Sequence, residues 1–375
     1  MILPGATLGI LGGGQLGRMI AIVARRMGYR TIVLDPTPQC PAAQVADKHI
    51  QASVDDLKAA VELAKLCDVV TLEWELIPFD VLEAVERIKP LSPSSSVLRV
   101  IQDRLTQKEF LARNGIPQAP FAAVSDPEDL DDAADELGYP CILKRRRAGY
   151  DGKGQFRLAS RFDHEGAMET LKAPCVLEAK INFKSEISVI LARDAKGSVS
   201  FFPIAENVHR DGVLHVTAAP ARVSAAIAGK AEALAAKIAR ALGHVGVMAV
   251  EMFALKDGRL LVNEIAPRVH NSGHYTQGAC VTSQFEQHVR AVCGLALGET
   301  ELLTPAIMVN LLGDLWIKGP PRWQTLLNRP NARLHLYGKA KPAAGRKMGH
   351  IVLLGEKAGS ALKTANTILN DLAGR

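Results

Sequence analysis

Glu251 and Glu264 have the residue type and spacing of a divalent-cation site. They lie in the stretch VGVMAVEMFALKDGRLLVNEIAPRVHNSGH, residues 245–274. Asp257-Gly258 is a strong signal for a two-residue hairpin turn, and such a turn places Glu251 directly opposite Glu264. Opposed carboxylates in apolar surroundings destabilise a hairpin, and Mg²⁺, which binds carboxylate and phosphate oxygens, removes the conflict. The pair therefore predicts a nucleoside triphosphate site. The alternatives are a surface pair with one carboxyl protonated or turned aside, and a slipped register.

A second segment whose residues could bind a ligand or take part in catalysis is LKRRRAGYDGKGQ, residues 143–155. Lys144 ends a predicted strand, and a hairpin tip follows that contains Gly149, Asp151, Gly152, Lys153 and Gly154. Backbone amides freed by glycine can surround phosphate oxygens, and the lysines add positive charge. A plain basic hairpin explains this loop equally well when it is considered alone. Together with the carboxylate pair, the phosphate-binding interpretation is favoured.

The N-terminal stretch ILGGGQLGRM, residues 10–19, has the G-x-G-x-x-G spacing of a dinucleotide fingerprint. Gly12, Gly14 and Gly17 fall between a strand and a helix, and Asp35 lies where a ribose-binding acid is expected. The alternative is that the glycines only permit a tight turn, while the helix N-terminus binds another anion or polar group. The fingerprint alone does not decide between the two.

The elements that position these residues follow from apolar periodicity. Strands at 6–11, 31–34 and 69–72, with helices at 15–27 and 54–66, predict a parallel sheet flanked by helices. The serines after Pro93 can cap one helix that continues through Arg104 to Arg113. Strands at 141–144, 154–158, 174–179, 186–192 and 199–203 predict a small antiparallel lid, and a helix is expected at 221–242. The chain from Pro305 onward has little strand pattern and suggests a terminal subdomain.

The amino-acid composition limits the classes of protein to which this chain can belong. The chain has 375 residues, 48% hydrophobic content and a net charge of +6, which suit a globular enzyme of two or three domains. Only 5% of residues are aromatic, which argues against nucleic-acid binding. The six cysteines are scattered without a C-x-x-C pair, and no segment has the length of a membrane helix. We therefore expect a cytoplasmic protein without a zinc site.

The motifs jointly resemble the ATP-grasp superfamily and, within it, the N5-carboxyaminoimidazole ribonucleotide synthetases. The resemblance extends over nearly the whole chain and rests on GGGQLGRM, DRLTQK, GYDGKGQ, GVMAVEMF, NEIAPRVHNSGH and GRKMGH. It implies an α/β ATP-grasp fold with a Rossmann-like N-terminal domain at 1–100, an ATP-grasp domain at 101–304 with an antiparallel lid at about 117–182, and a C-terminal subdomain at 305–375. Two positions depart from the family pattern, since Leu76 replaces an asparagine and Ala148 a glycine.

The resemblance also implies the ligands of individual residues. Mg²⁺ is expected on Glu251 and Glu264, and ATP on Arg104, Lys144, Gly149, Gly152, Gly154, Gln155, Glu178, Ala179, Lys180, Ile181, Glu186, His209, Asn263 and Glu264. Of these, residues 178–181 form the adenine hinge and Glu186 holds the ribose. The ribonucleotide is expected on Gln15, Leu16, Glu73, Asn271, Ser272, Lys339, Arg346 and Lys347. Tyr150, Asp151, Lys153 and Arg268 are the expected catalytic residues.

The activity implied by the resemblance is ATP- and bicarbonate-dependent carboxylation of 5-aminoimidazole ribonucleotide in purine biosynthesis, through carboxyphosphate. It uses ATP and Mg²⁺ without biotin or NAD, and the family suggests a homodimer with small-molecule substrates and no nucleic-acid or membrane partner. Three alternatives stay open at this point: another ATP-grasp carboxylase or ligase, a Rossmann oxidoreductase using Asp35, and a nucleotide sensor without catalysis. The oxidoreductase leaves the glutamate pair and the second glycine loop unexplained.

Overall fold

The N-terminal region folds around a parallel sheet, as predicted. In this computed structural model, which describes residues 1–149 and 152–374, five strands lie in the order β3-β2-β1-β4-β5. Strand β1 is buried along its full length, because helices cover both faces of the sheet. The elements are β1 (Thr7–Leu11), α1 (Gln15–Arg26), β2 (Arg30–Leu34), β3 (Lys48–Ile50), α2 (Leu57–Leu66), β4 (Val69–Leu72), α3 (Phe79–Glu86), β5 (Leu91–Ser92) and α4 (Ser95–Ile101).

The predicted single helix through Arg104 to Arg113 is wrong. Ser94 caps α4, which ends at Ile101, and a new helix α5 (Arg104–Arg113) follows. The break occurs at Asp103, whose backbone is extended and whose carboxylate accepts the amides of Leu105 and Thr106. A side chain that satisfies the free amides of a first turn starts a helix, and it therefore sets the direction of α5.

The lid is a four-stranded antiparallel sheet in the order β6-β9-β7-β8. Helices α6 and α7 pack on it through a small apolar core that includes Leu130, Leu143 and Leu171. Its elements are β6 (Phe121–Val124), α6 (Pro127–Leu137), β7 (Cys141–Arg145), β8 (Gln155–Leu158), α7 (His164–Leu171) and β9 (Cys175–Ala179). The predicted strands at 186–192 and 199–203 do not belong to this lid.

Those two strands belong instead to a second, larger sheet, which also includes the C-terminal strands. Its order is β15-β14-β10-β12-β13-β16-β18-β17, with β11 beside β10. The elements are β10 (Ser185–Arg193), β11 (Val199–Phe201), β12 (Ala205–Arg210), β13 (Val213–Ala219), α8 (Ala225–Leu242), β14 (Gly246–Ala254), β15 (Leu260–Ala266), α9 (Thr276–Ala279), α10 (Gln284–Val292), β16 (Ala306–Leu312), α11 (Trp323–Leu327), β17 (Ala332–Leu336), β18 (Lys347–Leu354) and α12 (Ala361–Ala373). The expectation of a strand-poor C-terminal region is therefore wrong, because β16 pairs with β13.

The hairpin of β14 and β15 pairs Glu251 with Glu264, as predicted, but its turn is not the predicted one. Ala254 pairs with Leu260, and the Leu255 amide donates to the Arg259 carbonyl at 2.9 Å, so three residues form the loop. Gly258, with φ of +83°, takes the left-handed position that such loops require. This loop alone would offset the glutamates by one residue. A bulge at the Glu251/Met252 step restores their pairing.

One apolar core joins the N-terminal and central regions. Ile20 of α1, Phe285 of α10 and Met308 of β16 belong to the same buried cluster. A buried hydrogen bond of 2.8 Å between Thr71 Oγ1 and His288 Nε2 crosses the same boundary. Over the part of the chain that the structure describes, no helix combines the length and apolar character needed to cross a membrane.

Candidate active site

A cleft of about 700 Å³ lies between the lid and the large sheet, with the N-terminal glycine turn at its end. Lid strands β7, β8 and β9 supply one wall, and strands β10 and β12 to β15 of the large sheet supply the other. The cleft is lined by most of the predicted site residues: Gln15, Leu16, Glu73, Arg104, Lys144, Gly149, Gly152, Gln155, Glu178, Ala179, Lys180, Ile181, Glu186, His209, Glu251, Asn263, Glu264, Arg268, Asn271 and Lys347.

Several predicted residues do not line the cleft. Lys153 and Gly154 are not among its lining residues, although Gly149 and Gly152 of the same loop are, and the Gly154 carbonyl accepts the Arg145 amide at 2.8 Å. Ser272 does not line the cleft, but its hydroxyl is 2.8 Å from Nδ1 of His270, which does. Tyr150 and Asp151 fall outside the described residues, so their predicted roles stay predictions.

The basic residues near the C-terminus divide into two groups. Lys347 lines the cleft, and Lys339 lies beside it because its Nζ donates to the Lys347 carbonyl at 2.8 Å. Arg346 is exposed and outside the cleft, and its Nη1 donates to the Lys341 carbonyl at 2.7 Å. The structure therefore brings Lys347 to the predicted substrate site and leaves Arg346 away from it.

The paired glutamates form the acidic end of the cleft. Burial is the main cause that raises the pKa of Glu251 to about 7; the charge of Glu264 contributes to this rise, and His209 opposes it. His209 Nδ1 donates to Glu186 Oε2 at 2.6 Å, and Arg104 Nη1 lies 3.5 Å from Glu264 Oε2. A buried carboxylate that resists ionisation is one that a cation would stabilise.

This donor set fits Mg²⁺. Two carboxylates face each other across the hairpin, and the described residues contain no cluster of three or more histidine, cysteine, aspartate or glutamate ligands. Mg²⁺ is held by one or two carboxylates, with water and substrate phosphates as its other ligands, whereas zinc sites are closed by nitrogen and sulfur donors. The pair thus suits a metal that arrives with a polyphosphate.

Glu178 is the centre of a buried ion cluster. Its Oε2 lies 3.0 Å from Lys144 Nζ and 3.3 Å from Lys108 Nζ, and all three side chains are at most 10% exposed. Burial opposes ionisation of Glu178, but the two lysines outweigh it and lower the pKa of the carboxyl. Lys108 was not among the predicted site residues, although it ends the DRLTQK motif.

The base of the glycine loop is tied to the N-terminus of α5. Arg146 Nε donates to Asp103 Oδ1 at 3.0 Å, and Arg104 Nη2 donates to the Gly149 carbonyl at 3.0 Å. Ala148 has φ of +59°, a left-handed conformation in which a glycine costs less energy. The departure at Ala148 therefore falls on a position where the backbone favours glycine.

The N-terminal glycine turn binds the protein's own carboxylates. Gly14 and Gly17 donate their amides to Glu73 at 2.5 and 2.9 Å, and Gly13 donates to Asp35 Oδ2 at 2.8 Å. Asp35 is thus part of the turn, which removes the ribose-binding role of the dinucleotide alternative. For Gly14 and Gly17, the anion that the alternative interpretation expects at the helix N-terminus is the protein's own Glu73 side chain.

Replacing Gly14 with alanine tests this arrangement. A Cβ at Gly14 would lie 2.4 Å from Glu73 Oε1, while the Gly14 backbone, with φ of −75°, accepts alanine without strain. We expect Gly14→Ala to displace Glu73 and to lower the free energy of unfolding by about 1–3 kcal/mol, measured by urea denaturation. Gly229→Ala is the matched control, because Gly229 lies inside α8 with open space around it. It should stabilise the protein by about 0.5–1 kcal/mol; equal effects of the two changes would contradict the account.

Sequence reasoning missed further residues that line the cleft. Phe183 and Phe253 stack with ring centroids 4.7 Å apart, and His270 lies 4.0 Å from Glu251. Glu75 binds Arg268 through two hydrogen bonds. The sequence signal for both residues is proximity to predicted ones: Glu75 lies two residues after Glu73, and His270 directly precedes Asn271 in NEIAPRVHNSGH.

Three family models match consecutive parts of the chain. They are the ribonucleotide synthetase preATP-grasp domain at residues 5–102, the ATP-grasp domain at 109–285 and the phosphoribosylaminoimidazole carboxylase C-terminal domain at 306–364. The N5-carboxyaminoimidazole ribonucleotide synthase of Brucella melitensis biotype 1 is 50% identical over 352 residues, which cover 93% of this chain and 96% of the relative. The chain belongs to the N5-carboxyaminoimidazole ribonucleotide synthase family.

Other members of the synthase family agree in sequence and in structure. The Bacillus subtilis synthase is 47% identical and covers 94% of this chain and 93% of its own length. A solved ADP complex of a family synthetase has 47% identity and a TM-score of 0.94, covering 100% of this chain and 99% of the other. The Aspergillus clavatus synthase, solved with ADP and 5-aminoimidazole ribonucleotide, has 38% identity and a TM-score of 0.91, with 99% of each chain covered.

Proposed function

We propose that this chain is an ATP-dependent ligase that carboxylates the exocyclic amine of 5-aminoimidazole ribonucleotide in purine biosynthesis. ATP and bicarbonate are consumed, and ADP, phosphate and N5-carboxyaminoimidazole ribonucleotide are formed. The observation that carries the proposal is the similarity over 99% of both chains to a synthase solved with ADP and this ribonucleotide. The convergence of the predicted residues on one cleft supports it.

The nucleotide end of the cleft lies at the lid. Residues 178–181 offer backbone for the adenine, and Glu186, fixed by His209, offers a carboxylate for the ribose hydroxyls. Arg104 and Lys144 supply positive charge to the phosphates, with amides of the glycine loop above them. When bound by Glu251 and Glu264, Mg²⁺ would neutralise charge on the β- and γ-phosphate oxygens.

The reaction needs two displacements in sequence. A bicarbonate oxygen attacks the γ-phosphorus and ADP leaves, which gives carboxyphosphate. The substrate amine then takes up the CO₂ unit, phosphate leaves, and the amine loses a proton. Arg268 is placed to hold the anionic reactants, because its guanidinium lies in the cleft beside Glu75. The lid excludes water from the labile intermediate.

The ribonucleotide end lies between the N-terminal turn and β18. Gln15, Leu16 and Glu73 line it on one side, and Asn271 and Lys347 line it on the other. Both polar atoms of the Asn271 side chain are buried and have no hydrogen-bond partner within the described chain. Because buried polar groups are normally paired, this amide supports a polar ligand at this end.

A comparison of Lys347 with Arg346 tests the position of the substrate site directly. We expect Lys347→Ala to raise the KM for the ribonucleotide at least about tenfold, because a charge that lines the cleft is lost. Arg346→Ala should change this KM less, since Arg346 lies outside the cleft in this structure. Steady-state ADP release at saturating ATP measures both. A larger effect at Arg346 than at Lys347 would show that the Arg346 side chain enters the site and would contradict this placement of the two residues.

The proposal includes domain limits of 1–100, 101–304 and 305–375, with a lid at about 117–182. It also includes a homodimer and a cytoplasmic location. The family resemblance supports the dimer. Six cysteines that are all free and buried support a reducing compartment. Light scattering during size-exclusion chromatography tests the dimer.

The reaction itself is tested by ADP release with bicarbonate, which should require the ribonucleotide.

A further inference from the structure

Glu75 and Arg268 form an ion pair that joins two parts of the fold within the cleft. Arg268 Nε donates to Glu75 Oε2 at 2.5 Å, and Nη2 donates to Oε1 at 2.9 Å. Glu75 lies between β4 and α3 of the N-terminal region, and Arg268 follows β15 of the large sheet. Both side chains are less than 20% exposed. A two-point pair of this kind fixes the plane of the guanidinium as well as its position.

The backbone around Glu75 is fixed by hydrogen bonds from the side chain of Gln102. Gln102 Nε2 donates to the carbonyls of Glu75 and Ile77, both at 2.7 Å, and Gln102 is buried at 8% exposure. Glu75 is therefore presented to Arg268 from a fixed segment. This pattern is typical of a residue that orients another one.

The geometry leaves part of Arg268 available to a ligand. A guanidinium has five N–H groups. Glu75 accepts from Nε and Nη2, and the Val269 carbonyl accepts from Nη1 at 3.2 Å. One N–H on each terminal nitrogen remains, and Arg268 lines the cleft.

Arg268 also has competing partners. Glu73 and Glu264 both attract its charge, after Glu75. If the guanidinium turned toward Glu264, it would compete with the cation expected there. If it turned toward Glu73, it would compete with the amides of the glycine turn. The ion pair with Glu75 therefore keeps the Arg268 guanidinium away from two carboxylates that have other partners.

We propose that Glu75 is a positioning residue that fixes the Arg268 guanidinium across the boundary between the N-terminal region and the large sheet, so that its two remaining N–H groups bind the bicarbonate-derived anion. The proposal rests on the proposed function for the identity of that anion. The orientation of Arg268 does not depend on it.

The test compares Glu75→Gln with Glu206→Gln. Glu206 makes an equivalent two-point pair with Arg222, away from the cleft, and so provides a matched control. We expect Glu75→Gln to lower kcat by about 100-fold, because a small misplacement of a catalytic group costs that much. The KM for ATP should stay within about twofold of the wild-type value. Glu206→Gln should keep wild-type kcat and KM.

A double-mutant cycle separates positioning from a general loss of structure. In an Arg268→Lys background, Glu75→Gln should cause no further loss of kcat, because the group that it orients is already gone. An undiminished loss in that background, or a wild-type kcat for Glu75→Gln alone, would overturn the proposal.

Crystal structures of the two glutamine variants supply a readout without catalysis. Arg268 should turn toward Glu73 or Glu264 in Glu75→Gln and keep its position in Glu206→Gln. An unmoved Arg268 in Glu75→Gln would overturn the positioning role. If the wild type releases no ADP in response to the ribonucleotide, the proposed function fails instead, and the crystal structures still decide the role of Glu75.

Discussion

Replacing Glu264 with glutamine is expected to lower kcat for ribonucleotide-dependent ADP release by about 1000-fold, while the fold stays intact. An amide removes one of the two negative charges that face each other across the hairpin, and with it a ligand of the expected cation. The Glu264 side chain is 42% exposed, so the free energy of unfolding should change by less than about 1 kcal/mol. Calorimetric titration of Mg²⁺-ATP should show weaker binding.

Glu62→Gln is the matched control for this change. Glu62 is 57% exposed and lies 3.4 Å from Lys48, while Glu264 lies 3.5 Å from Arg104, so each substitution removes a partly exposed carboxylate beside a cation. Glu62 is outside the cleft, and its variant should keep full activity. Near-normal turnover of Glu264→Gln would contradict the assignment of the metal pair.

The second large effect is expected on stability. Replacing Glu178 with glutamine leaves two buried lysines, Lys108 and Lys144, without a compensating charge. Breaking a buried ion cluster in this way costs about 3–5 kcal/mol, because an uncompensated charge remains in the interior. We therefore expect a loss of this size in the free energy of unfolding, measured by urea denaturation with circular dichroism.

Glu83 provides the control, because it also lies between two cations. Arg99 and Arg87 are 2.9 and 3.5 Å from its oxygens, but its side chain is 39% exposed. Exposed ion pairs contribute about 0–1 kcal/mol, so Glu83→Gln should be nearly neutral. Equal losses for the two variants would mean that burial does not strengthen the Glu178 cluster.

The glutamate pair could be predicted from sequence, although for a reason that is only partly correct. Asp257-Gly258 predicts a two-residue loop, whereas the structure has a three-residue loop and a compensating bulge beside Glu251. Turn residues indicate that a hairpin exists. A bulge several residues away depends on the packing of the finished sheet, and the turn does not encode it.

The glycine turn shows a different limit. Its spacing specifies a strand, a tight turn and a helix N-terminus, and the structure contains all three. The spacing does not specify which anion fills the turn. The amides of Gly14 and Gly17 bind Glu73, which lies 59 residues after Gly14 and is brought to the turn by the pairing of β1 with β4. The pattern therefore predicts the local shape and leaves the ligand open.

The C-terminal strands were missed for a related reason. Strands β16 and β18 are buried because they pair with each other and extend a sheet that begins far earlier in the chain. The glycines and prolines between them dominate the local pattern, and partners distant in sequence supply the stabilising contacts.

The measurement that tests the central claim most directly follows oxygen from bicarbonate. The enzyme is incubated with ATP, Mg²⁺, 5-aminoimidazole ribonucleotide and ¹⁸O-labelled bicarbonate, and the phosphate product is analysed by mass spectrometry. We expect one labelled oxygen in each phosphate and ADP release that depends on the ribonucleotide, because bicarbonate attacks the γ-phosphorus. Unlabelled phosphate formed at the same rate without the ribonucleotide would contradict the account and would identify the activity as hydrolysis of ATP by water.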